Sequence, residues 1–479
     1  MAVAPARLVA LKLVGECRRR SARMRDLLRS SKDLDALDAR DRALAFRLAM
    51  GVAATQGLLD QMVDAHLRKP RSVEPKVRDA LRISAFELLW MQTPLQVAVS
   101  QGVELVRRGS PRAAGLANAV LRRIAEQDRA RLDDARLRIE AKTASLEDLA
   151  LVSAVPMWLA AELESSRGFE AAQAMLERRL DAPKTMVGTN LARHTVRETA
   201  ELLKDAGLEP APSVLPRAFE LASPAGLASS GLITKGQVVV ADAAAQIVCQ
   251  LVSPSPKSHV LEIGQGRATK TILLESSALV HGGLCQMVSV DSEEFKVRLA
   301  RERVRKAGLA SNVSCVCLDG RRLASADLPE PLNQSFDLVF LDAPCSGVGT
   351  MRRHVEIPWA LDVKAVEPGH KDSLPTLQLE MLKASSVRVR KGGTLCYSTC
   401  SALVQEDEAV VQAFLSSPEG REFHLVNVLS RLGNSGDDKA LAKLVEPWVT
   451  GEGYLLTGLC DRGLGLVDTH FLAVMERGA

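Results

Sequence analysis

The sequence predicts an α/β fold in which a doubly wound, mostly parallel sheet follows an all-helical bundle and a small α/β connector. Apolar residues recur every three or four positions up to about residue 145, which is typical of amphipathic helices. From residue 231 onward, short apolar runs alternate with helical segments, and this pattern favours parallel strands joined by helices. We therefore expect domains over residues 1–145, 146–230 and 231–479.

Charge is unevenly distributed along the chain. Residues 1–145 contain 28 Lys and Arg against 17 Asp and Glu, although the net charge of the whole chain is only +4. A basic bundle joined to an acidic remainder indicates a polyanionic partner, and a solvated basic face is the alternative explanation. The nine cysteines show no metal-like CxxC pair, and no apolar run reaches membrane-spanning length. We expect a cytoplasmic protein without a metal or membrane partner.

The first two domains are predicted from helical periodicity. In the bundle, the apolar positions group into segments around residues 8–17, 44–63, 81–90 and 116–124. In the connector, we expect helices around 157–164, 171–180 and 195–206, a strand at 185–190, and a loop that carries Pro210, Pro212 and Pro216. The connector contains no catalytic constellation of its own.

The third domain has the alternation of a doubly wound sheet. The predicted helices span residues 269–280, 292–307 and 374–390. The predicted strands span residues 259–263, 284–290, 313–318, 336–341, 394–397 and 469–475. Because ligands bind beyond the carboxyl ends of parallel strands, the residues that follow these strands are the candidate site.

Acidic residues and glycines at three of these strand ends predict a nucleoside site. Glu262 precedes a Gly264-x-Gly266 turn, where glycines let the backbone approach a ligand. Asp291 is placed to accept from ribose hydroxyls and Asp319 from an adenine amine. The Gly-x-Gly-x-x-Gly motif that cradles a pyrophosphate is absent, because position 269 is Thr. S-adenosylmethionine, a nucleoside without a pyrophosphate, therefore fits better than NAD.

Two cysteines follow the ends of two other predicted strands. Cys345 lies in Asp342-Ala343-Pro344-Cys345-Ser346-Gly347, and Cys400 lies in Ser398-Thr399-Cys400-Ser401. Two thiols and the Asp342 carboxylate would share one edge of the sheet, where nucleophilic catalysis needs them. The alternative, a cysteine that acts as a small core residue, suits Cys396 within its strand but not these two.

These motifs resemble a known family. Residues 342–354 resemble one signature of the Sun/RsmB class of RNA cytosine-5 methyltransferases. Residues 391–401, followed by Glu406-Asp407-Glu408, resemble its second signature. Residues 40–44, 81–89 and 118–123 resemble the NusB-type RNA-binding bundle, which points within this class to the bacterial 16S rRNA enzymes. The resemblance implies a Rossmann-like class I adenosylmethionine methyltransferase sheet behind a NusB-like domain.

The resemblance also implies roles for individual residues. Cys400 would be the nucleophile that adds to cytosine C6, Cys345 would assist release of the methylated base, and Asp342 would hold the N3/N4 edge. Arg352, Arg353 and His354 would contact RNA phosphates or the base, unless they are a solvated helix start. The residues expected to bind S-adenosylmethionine are Glu262, Gly264, Gln265, Gly266, Arg267, Ala268, Thr269, Lys270, Asp291, Asp319 and Asp342.

The cofactor turn departs from the family pattern. Its usual form is Cys-Ala-Ala-Pro-Gly-Gly-Lys-Thr, of which only Lys270-Thr271 is retained here. One alternative is therefore a non-catalytic RNA-binding or antitermination factor with a vestigial methyltransferase domain, and another is a cytosine-5 methyltransferase that acts on tRNA. The expected partner is 16S rRNA, free or in an early small-subunit particle, and we expect the protein to be a monomer.

Overall fold

A computed structural model of the protein describes residues 3–461 and 463–479. The chain divides into two compact units. The first unit comprises Met1–Asp181 and Met351–Leu361, and the second comprises Ala182–Thr350 and Asp362–Ala479. Since a compact unit is not the same as a functional domain, the three-domain division at residues 145 and 230 remains a proposal. Within the described residues, no helix is long and apolar enough to cross a bilayer.

The first unit is helical. Its helices are α1 (Pro5–Arg20), α2 (Met24–Arg29), α3 (Lys32–Asp35), α4 (Ala39–Ala65), α5 (Pro75–Trp90), α6 (Leu95–Gly109), α7 (Ala114–Arg123), α8 (Arg129–Glu140), α9 (Leu146–Ser153), α10 (Met157–Arg167), α11 (Phe169–Glu177) and α16 (Ile357–Ala360).

Local sequence explains where several of these helices begin and how closely they pack. Asp38 caps α4 by accepting from the backbone N–H of Asp41 at 2.8 Å. Ser145 and Asp148 form a reciprocal capping box at the start of α9. Gly51 lets α4 approach the ring of Phe86 on α5, because a Cβ at Gly51 would lie 1.9 Å from that ring. Small residues therefore set the close packing of this bundle.

The second unit contains helices and two sheets. Its helices are α12 (Val196–Asp205), α13 (Ala243–Val252), α14 (Thr269–Val280), α15 (Glu294–Lys306), α17 (Leu374–Ser386), α18 (Glu408–Leu415) and α19 (Gly436–Val445). Its strands are β1 (Thr185–Thr189), β2 (Pro210–Pro212), β3 (Ala218–Leu221), β4 (Val238–Val240), β5 (His259–Ile263), β6 (Gln286–Asp291), β7 (Val313–Cys317), β8 (Phe336–Asp342), β9 (Val389–Thr399), β10 (Phe423–Val426), β11 (Leu455–Leu456) and β12 (Phe471–Arg477).

The smaller sheet differs from the sequence prediction in three places, the first being the strand β3 at Ala218–Leu221, which was not predicted. In the described residues its order is β2-β3-β1-β4. Pro210–Pro212 forms the edge strand β2, where we predicted a loop, because an edge strand pairs on one side only and tolerates proline. Val238–Val240, which the prediction assigned to the third domain, pairs with β1 in this sheet.

The larger sheet has the order β10-β12-β9-β8-β5-β6-β7 over the described chain, and β11 pairs with β12. The strands from β9 to β7 are mutually parallel, whereas β12 is antiparallel to β9 and β10 is antiparallel to β12. This arrangement confirms the predicted α/β, Rossmann-like fold. Because β5 connects onward to β6 on one side and pairs with β8 on the other, the strand order switches direction between β5 and β8. Ligands bind at the carboxyl edge beside such a switch point.

Candidate active site

The two candidate cysteines are brought together by the pairing of β8 with β9. Asp342 at the end of β8 is opposite Ser398 on β9, so the segments that follow both strands leave the sheet side by side. The Sγ atoms of Cys345 and Cys400 lie 3.2 Å apart. The backbone N–H of Cys400 also donates to Cys345 Sγ at 3.3 Å. Both thiols are half-buried and free.

The surroundings of Cys345 alter the acidity of its thiol. The hydrogen bond with Cys400, and then burial, raise the pKa of Cys345 well above the usual cysteine value. Cys345 therefore keeps its proton, and its S–H can donate to the sulfur of Cys400.

A lysine–aspartate ion pair lies beside the thiols. The Nζ atom of Lys270, on α14, donates to Oδ1 of Asp342, and both side chains are largely buried. Burial opposes the charge of Lys270, but the carboxylate of Asp342 outweighs it, and together with Cys400 it raises the lysine pKa. The predicted residues Lys270 and Asp342 therefore form a largely buried ion pair, and Cys400 is near enough to Lys270 to influence its pKa.

The predicted cofactor turn follows β5. Gly264 has a φ of +89°, and the N–H groups of Gly264 and Gln265 both donate to the carbonyl of Val290. A Cβ at Gly264 would lie 2.2 Å from the carbonyl oxygen of Asp342, so this position requires glycine. The N–H of Gly266 donates to Oδ2 of Asp291 at 2.9 Å. The turn and the end of β6 are thus tied together.

The rest of the turn is held mainly by its backbone. Arg267 is exposed, and its carbonyl accepts from Arg303 at 2.6 Å. Ala268 is buried in the left-handed region at a φ of +57°. Thr269 begins α14, and its hydroxyl accepts from Arg303 at 3.4 Å. The Arg267 side chain therefore does not shape this turn, whereas the buried side chain of Gln265, which also differs from the family pattern, donates to Cys315 at 3.2 Å.

Asp291 and Asp319 lie at the carboxyl ends of β6 and β7, as the sequence predicts. Asp291 is buried, and Lys296 lies 3.6 Å from its carboxylate. Asp319 is half-buried, and the guanidinium of Arg321 contacts both of its oxygens at distances down to 2.6 Å. If Asp319 accepts from the adenine amine as predicted, it does so while it is also paired with Arg321.

Two buried acceptor atoms at the turn are unsatisfied. Glu262 is fully buried, and its Oε2 accepts from the hydroxyls of Thr271 and Ser289 at 2.7 Å. Its Oε1 and the Oε1 of Gln265 have no hydrogen-bond partner among the described residues. Burial raises the pKa of Glu262 to about 7. Unsatisfied acceptors of this kind are expected where a ligand that carries donors completes the site.

The predicted RNA-binding triplet belongs to the first compact unit, whereas the cysteines belong to the second. It lies in the segment Met351–Leu361, whose Glu356 accepts from the N–H of Met24 at 2.8 Å. Arg23 and Arg25 flank Met24, and both are exposed, as is His354. Partial burial and the charges of Arg23 and Arg25 lower the pKa of His354. The triplet therefore extends into a basic cluster on the helical unit.

Glu406, to which the sequence pattern assigned no role, contacts the segments of both cysteines. Glu406 is fully buried and accepts hydrogen bonds from Ser346 and Ser401, the residues that follow Cys345 and Cys400. The available signal was its position in the second signature, a few residues after Cys400. Only the structure reveals the contacts to both segments.

Comparison with known proteins identifies the family. Residues 249–448 match the family described as 16S rRNA methyltransferase RsmB/F, and residues 4–126 match the NusB family. Ribosomal RNA small subunit methyltransferase B of Pseudomonas syringae pv. tomato is 30% identical over 391 residues, which span 81% of this chain and 82% of that protein. The chain belongs to the ribosomal RNA small subunit methyltransferase B family. It is thus a methyltransferase, and the predicted resemblance is confirmed.

Other members and structures of similar fold agree with this family. The probable ribosomal RNA small subunit methyltransferase B of Bacillus subtilis is 26% identical over 413 residues, covering 85% of this chain and 87% of that protein. The crystal structure of PH0851 superposes with a TM-score of 0.72 at 19% identity and covers 100% of both chains. At that identity the structure supports the fold alone. Cys345 and Cys400 lie within the part of the chain that matches the RsmB/F family.

Proposed function

We propose that this RsmB/F-family methyltransferase transfers a methyl group from S-adenosylmethionine to C5 of a cytosine in 16S rRNA, through a transient bond between Cys400 and the base. The observation that carries the proposal is the pair of thiols 3.2 Å apart beside the Lys270–Asp342 ion pair. Relatives named ribosomal RNA small subunit methyltransferase B support the choice of RNA.

The residues of the cofactor turn fit S-adenosylmethionine. Its ammonium and hydroxyl groups are donors, and Glu262 and Gln265 offer buried acceptor atoms that lack protein partners in the described chain. Gly264 and Gly266 give the close backbone approach, and Asp291 and Asp319 would accept from the ribose and the adenine. When bound, S-adenosylmethionine supplies a methyl group made electrophilic by its sulfonium.

Cys400 activates the base. The C5 atom of cytosine is a weak nucleophile, so the Cys400 thiolate first adds to C6 and forms a C–S bond. The electron pair of the C5=C6 bond moves into the ring, and C5 becomes enamine-like and able to accept the methyl group. The S–H of Cys345 stabilises the starting thiolate, because its proton is retained at neutral pH.

Asp342 and Cys345 complete the reaction. Asp342, held by Lys270, would accept from the N4 amino group at the N3/N4 edge, and the Lys270 ammonium would offset the negative charge that develops in the ring. After transfer, a water molecule would take the proton from C5, and the S–H of Cys345 would assist release by donating a hydrogen bond to the departing sulfur of Cys400. The C–H electrons then restore the C5=C6 bond, the C–S bond breaks, and the electron pair returns to Cys400. The target cytosine must leave any base stack to meet a thiol above its ring.

The first unit would hold the RNA. Residues 1–145 carry the excess of basic residues, and Arg352, Arg353 and His354 add to it beside Arg23 and Arg25. Phosphate contacts of this kind position an RNA without reading its sequence. We propose that this NusB-like region positions the RNA and that the enzyme acts in the cytoplasm as a monomer.

The test is transfer of labelled methyl from S-adenosylmethionine to unmodified small-subunit rRNA, with digestion to identify the labelled nucleoside. Wild type should yield 5-methylcytosine, and Cys400→Ser should yield none. Cys17→Ser, a half-buried thiol in the first unit, is the matched control and should behave as wild type. Label in tRNA but not in rRNA would indicate that the substrate is tRNA. Tight RNA binding without any transfer would instead favour a binding factor.

A further inference from the structure

Glu406 is a buried carboxylate with four hydrogen-bond donors around it. Its Oε1 accepts from the backbone N–H of Ser346 at 2.8 Å and from the side chain of Gln378 at 3.0 Å. Its Oε2 accepts from the hydroxyl of Ser401 at 2.6 Å and from the hydroxyl of Ser346. Glu406, Ser401 and Gln378 are fully buried, and Ser346 is nearly so. A buried charge is tolerated when every lone pair is used in this way.

The donors come from both cysteine segments. Ser346 directly follows Cys345 and Ser401 directly follows Cys400, so Glu406 connects two segments that are about fifty-five residues apart in sequence. Gln378 on α17 reaches the same carboxylate and also donates to the carbonyl of Pro344 at 2.9 Å. The carboxylate therefore bridges the cysteine segments immediately beside the two reactive sulfur atoms.

Glu406 itself is fixed in place. Its carbonyl accepts from the hydroxyl of Tyr397, a fully buried residue on β9, at 2.6 Å. Its N–H donates to the carbonyl of Leu403 at 2.9 Å, which closes a turn after Cys400. Because these bonds fix the backbone of Glu406, its carboxylate can hold the groups that donate to it in fixed positions.

We propose that Glu406 is a positioning residue that locks the Cys345 and Cys400 segments together, so that both thiols reach one cytosine. The inference deepens the proposed function, since it assigns Glu406 to the same reaction. Glu406 is separated from the base by the two serines, so it acts through the cysteines. By holding the two segments together, Glu406 raises the effective concentration of each thiol at the other.

Two substitutions of Glu406, by Gln and by Ala, separate the effect of the hydrogen-bonded bridge from the effect of the negative charge. In Glu406→Gln, the amide oxygen can accept from Ser346 N–H and Gln378, and its NH₂ group can donate to hydroxyls of Ser346 and Ser401 that rotate to accept. The bridge therefore survives without the charge. In Glu406→Ala, the bridge is lost.

The test measures the Cys345–Cys400 disulfide in glutathione redox buffers, with peptide mass spectrometry to identify that pair among the nine cysteines. Each disulfide formed consumes one oxidised glutathione and releases two reduced glutathione molecules, so the equilibrium constant reports the effective concentration of the thiols. We expect Glu406→Ala to lower this effective concentration about ten-fold or more. Glu406→Gln should keep it within about three-fold of the wild-type value.

Glu275→Ala is the matched control. Glu275 is a buried carboxylate of the same unit that accepts from the N–H of Cys285 at 3.1 Å, away from both cysteine segments. It should leave the thiol equilibrium unchanged. An unchanged equilibrium in folded Glu406→Ala would overturn the proposal. So would equal losses in the Gln and Ala variants, because the charge rather than the bridge would then be responsible.

If Glu406→Ala does not fold, the double variant Ser346→Ala/Ser401→Ala replaces it. This variant removes one hydroxyl from each segment and leaves the Ser346 N–H bond to Glu406. It must show the same loss of effective concentration, and a wild-type value would refute the proposal. The measurement uses neither RNA nor S-adenosylmethionine, so its outcome is independent of whether wild type makes 5-methylcytosine. In the methylation assay, Glu406→Ala should lower kcat and leave KM for RNA unchanged.

Discussion

Two buried glutamates at the same sheet edge differ in how completely the protein surrounds them. Glu406, between the cysteine segments, accepts four hydrogen bonds that occupy both carboxylate oxygens. Glu262, below the cofactor turn, accepts two hydroxyls on one oxygen, and its other oxygen has no partner among the described residues. The carboxylate of Glu406 is thus fully hydrogen-bonded, whereas in the described chain Glu262 and Gln265 at the cofactor turn each have an acceptor atom left over.

The difference explains why the two regions tolerate sequence change differently. At the cysteines, the proposed chemistry and the network around it depend on side chains, and Cys345, Ser346, Cys400 and Ser401 lie in the stretches that resemble the family signatures. At the turn, glycine backbone, Asp291 and Lys270 make the important contacts. The positions of Arg267 and Thr269 can therefore change without loss of the turn.

The largest expected effect comes from the cysteine region. In Cys345→Ala, we expect Cys400 still to add to the base and release of the methylated base to fail. We expect turnover to fall about a thousand-fold or more, and a protein–RNA adduct to accumulate that survives denaturing electrophoresis. The double variant Cys345→Ala/Cys400→Ser should form no adduct. Normal turnover without an adduct would contradict the division of roles between the two thiols.

The next effect concerns the backbone of the turn. In Gly264→Ala, the new Cβ would lie 2.2 Å from the carbonyl of Asp342 at a φ of +89°. We expect affinity for S-adenosylmethionine, measured by calorimetry without RNA, to fall about a hundred-fold, equivalent to about 3 kcal/mol.

Two matched variants sharpen this test. Gly266→Ala places a Cβ 3.9 Å from its nearest neighbour, so only the left-handed backbone is penalised, by about 1 kcal/mol. Arg267→Ala removes an exposed side chain and should leave affinity within about three-fold of wild type. If Arg267→Ala weakens binding as much as Gly264→Ala, side chains rather than backbone shape this turn.

The elements nearest the site could be predicted closely from the sequence. β5 and α14 have the bounds expected from their apolar pattern, His259–Ile263 and Thr269–Val280. β9 is longer than predicted, because Val389–Gly393 includes exposed polar residues and glycines that conceal a strand. The edge strand Pro210–Pro212 was wrongly expected to be a loop. Its extended conformation depends on pairing with β3, a tertiary contact that the local sequence does not reveal.

The site was predictable where it depends on strand ends. Cys345, Cys400 and Asp342 follow neighbouring parallel strands, and general topology brings such positions to one edge. The roles of these residues remain predictions. The Glu406 bridge could not be predicted, because four donors from three segments meet only after α17, β8 and β9 have packed. The inclusion of Met351–Leu361 in the first unit is likewise a property of tertiary packing.

The last expected effect is a pH dependence of stability that isolates Glu262. Its pKa is raised from the ordinary glutamate value to about 7, so between pH 4.5 and pH 7 the folded protein holds a proton that the unfolded chain has lost. The contribution of Glu262 to stability is therefore present at acid pH and is lost as the pH rises through 7. The loss is about 1.4 kcal/mol per pKa unit, or roughly 3 kcal/mol in all.

Glu262→Gln removes this titration and retains an acceptor for Thr271 and Ser289. Guanidinium unfolding from pH 5 to pH 8 should show stability falling more steeply with pH in wild type than in the variant. Burial also raises the pKa of Glu275 to about 7, but Glu275 is common to both proteins, so the difference reports Glu262 alone. Parallel curves would mean that Glu262 is ionised in the folded protein throughout. A saturating concentration of S-adenosylmethionine should reduce the wild-type slope, because a donor to the unpartnered oxygen would favour the charged carboxylate.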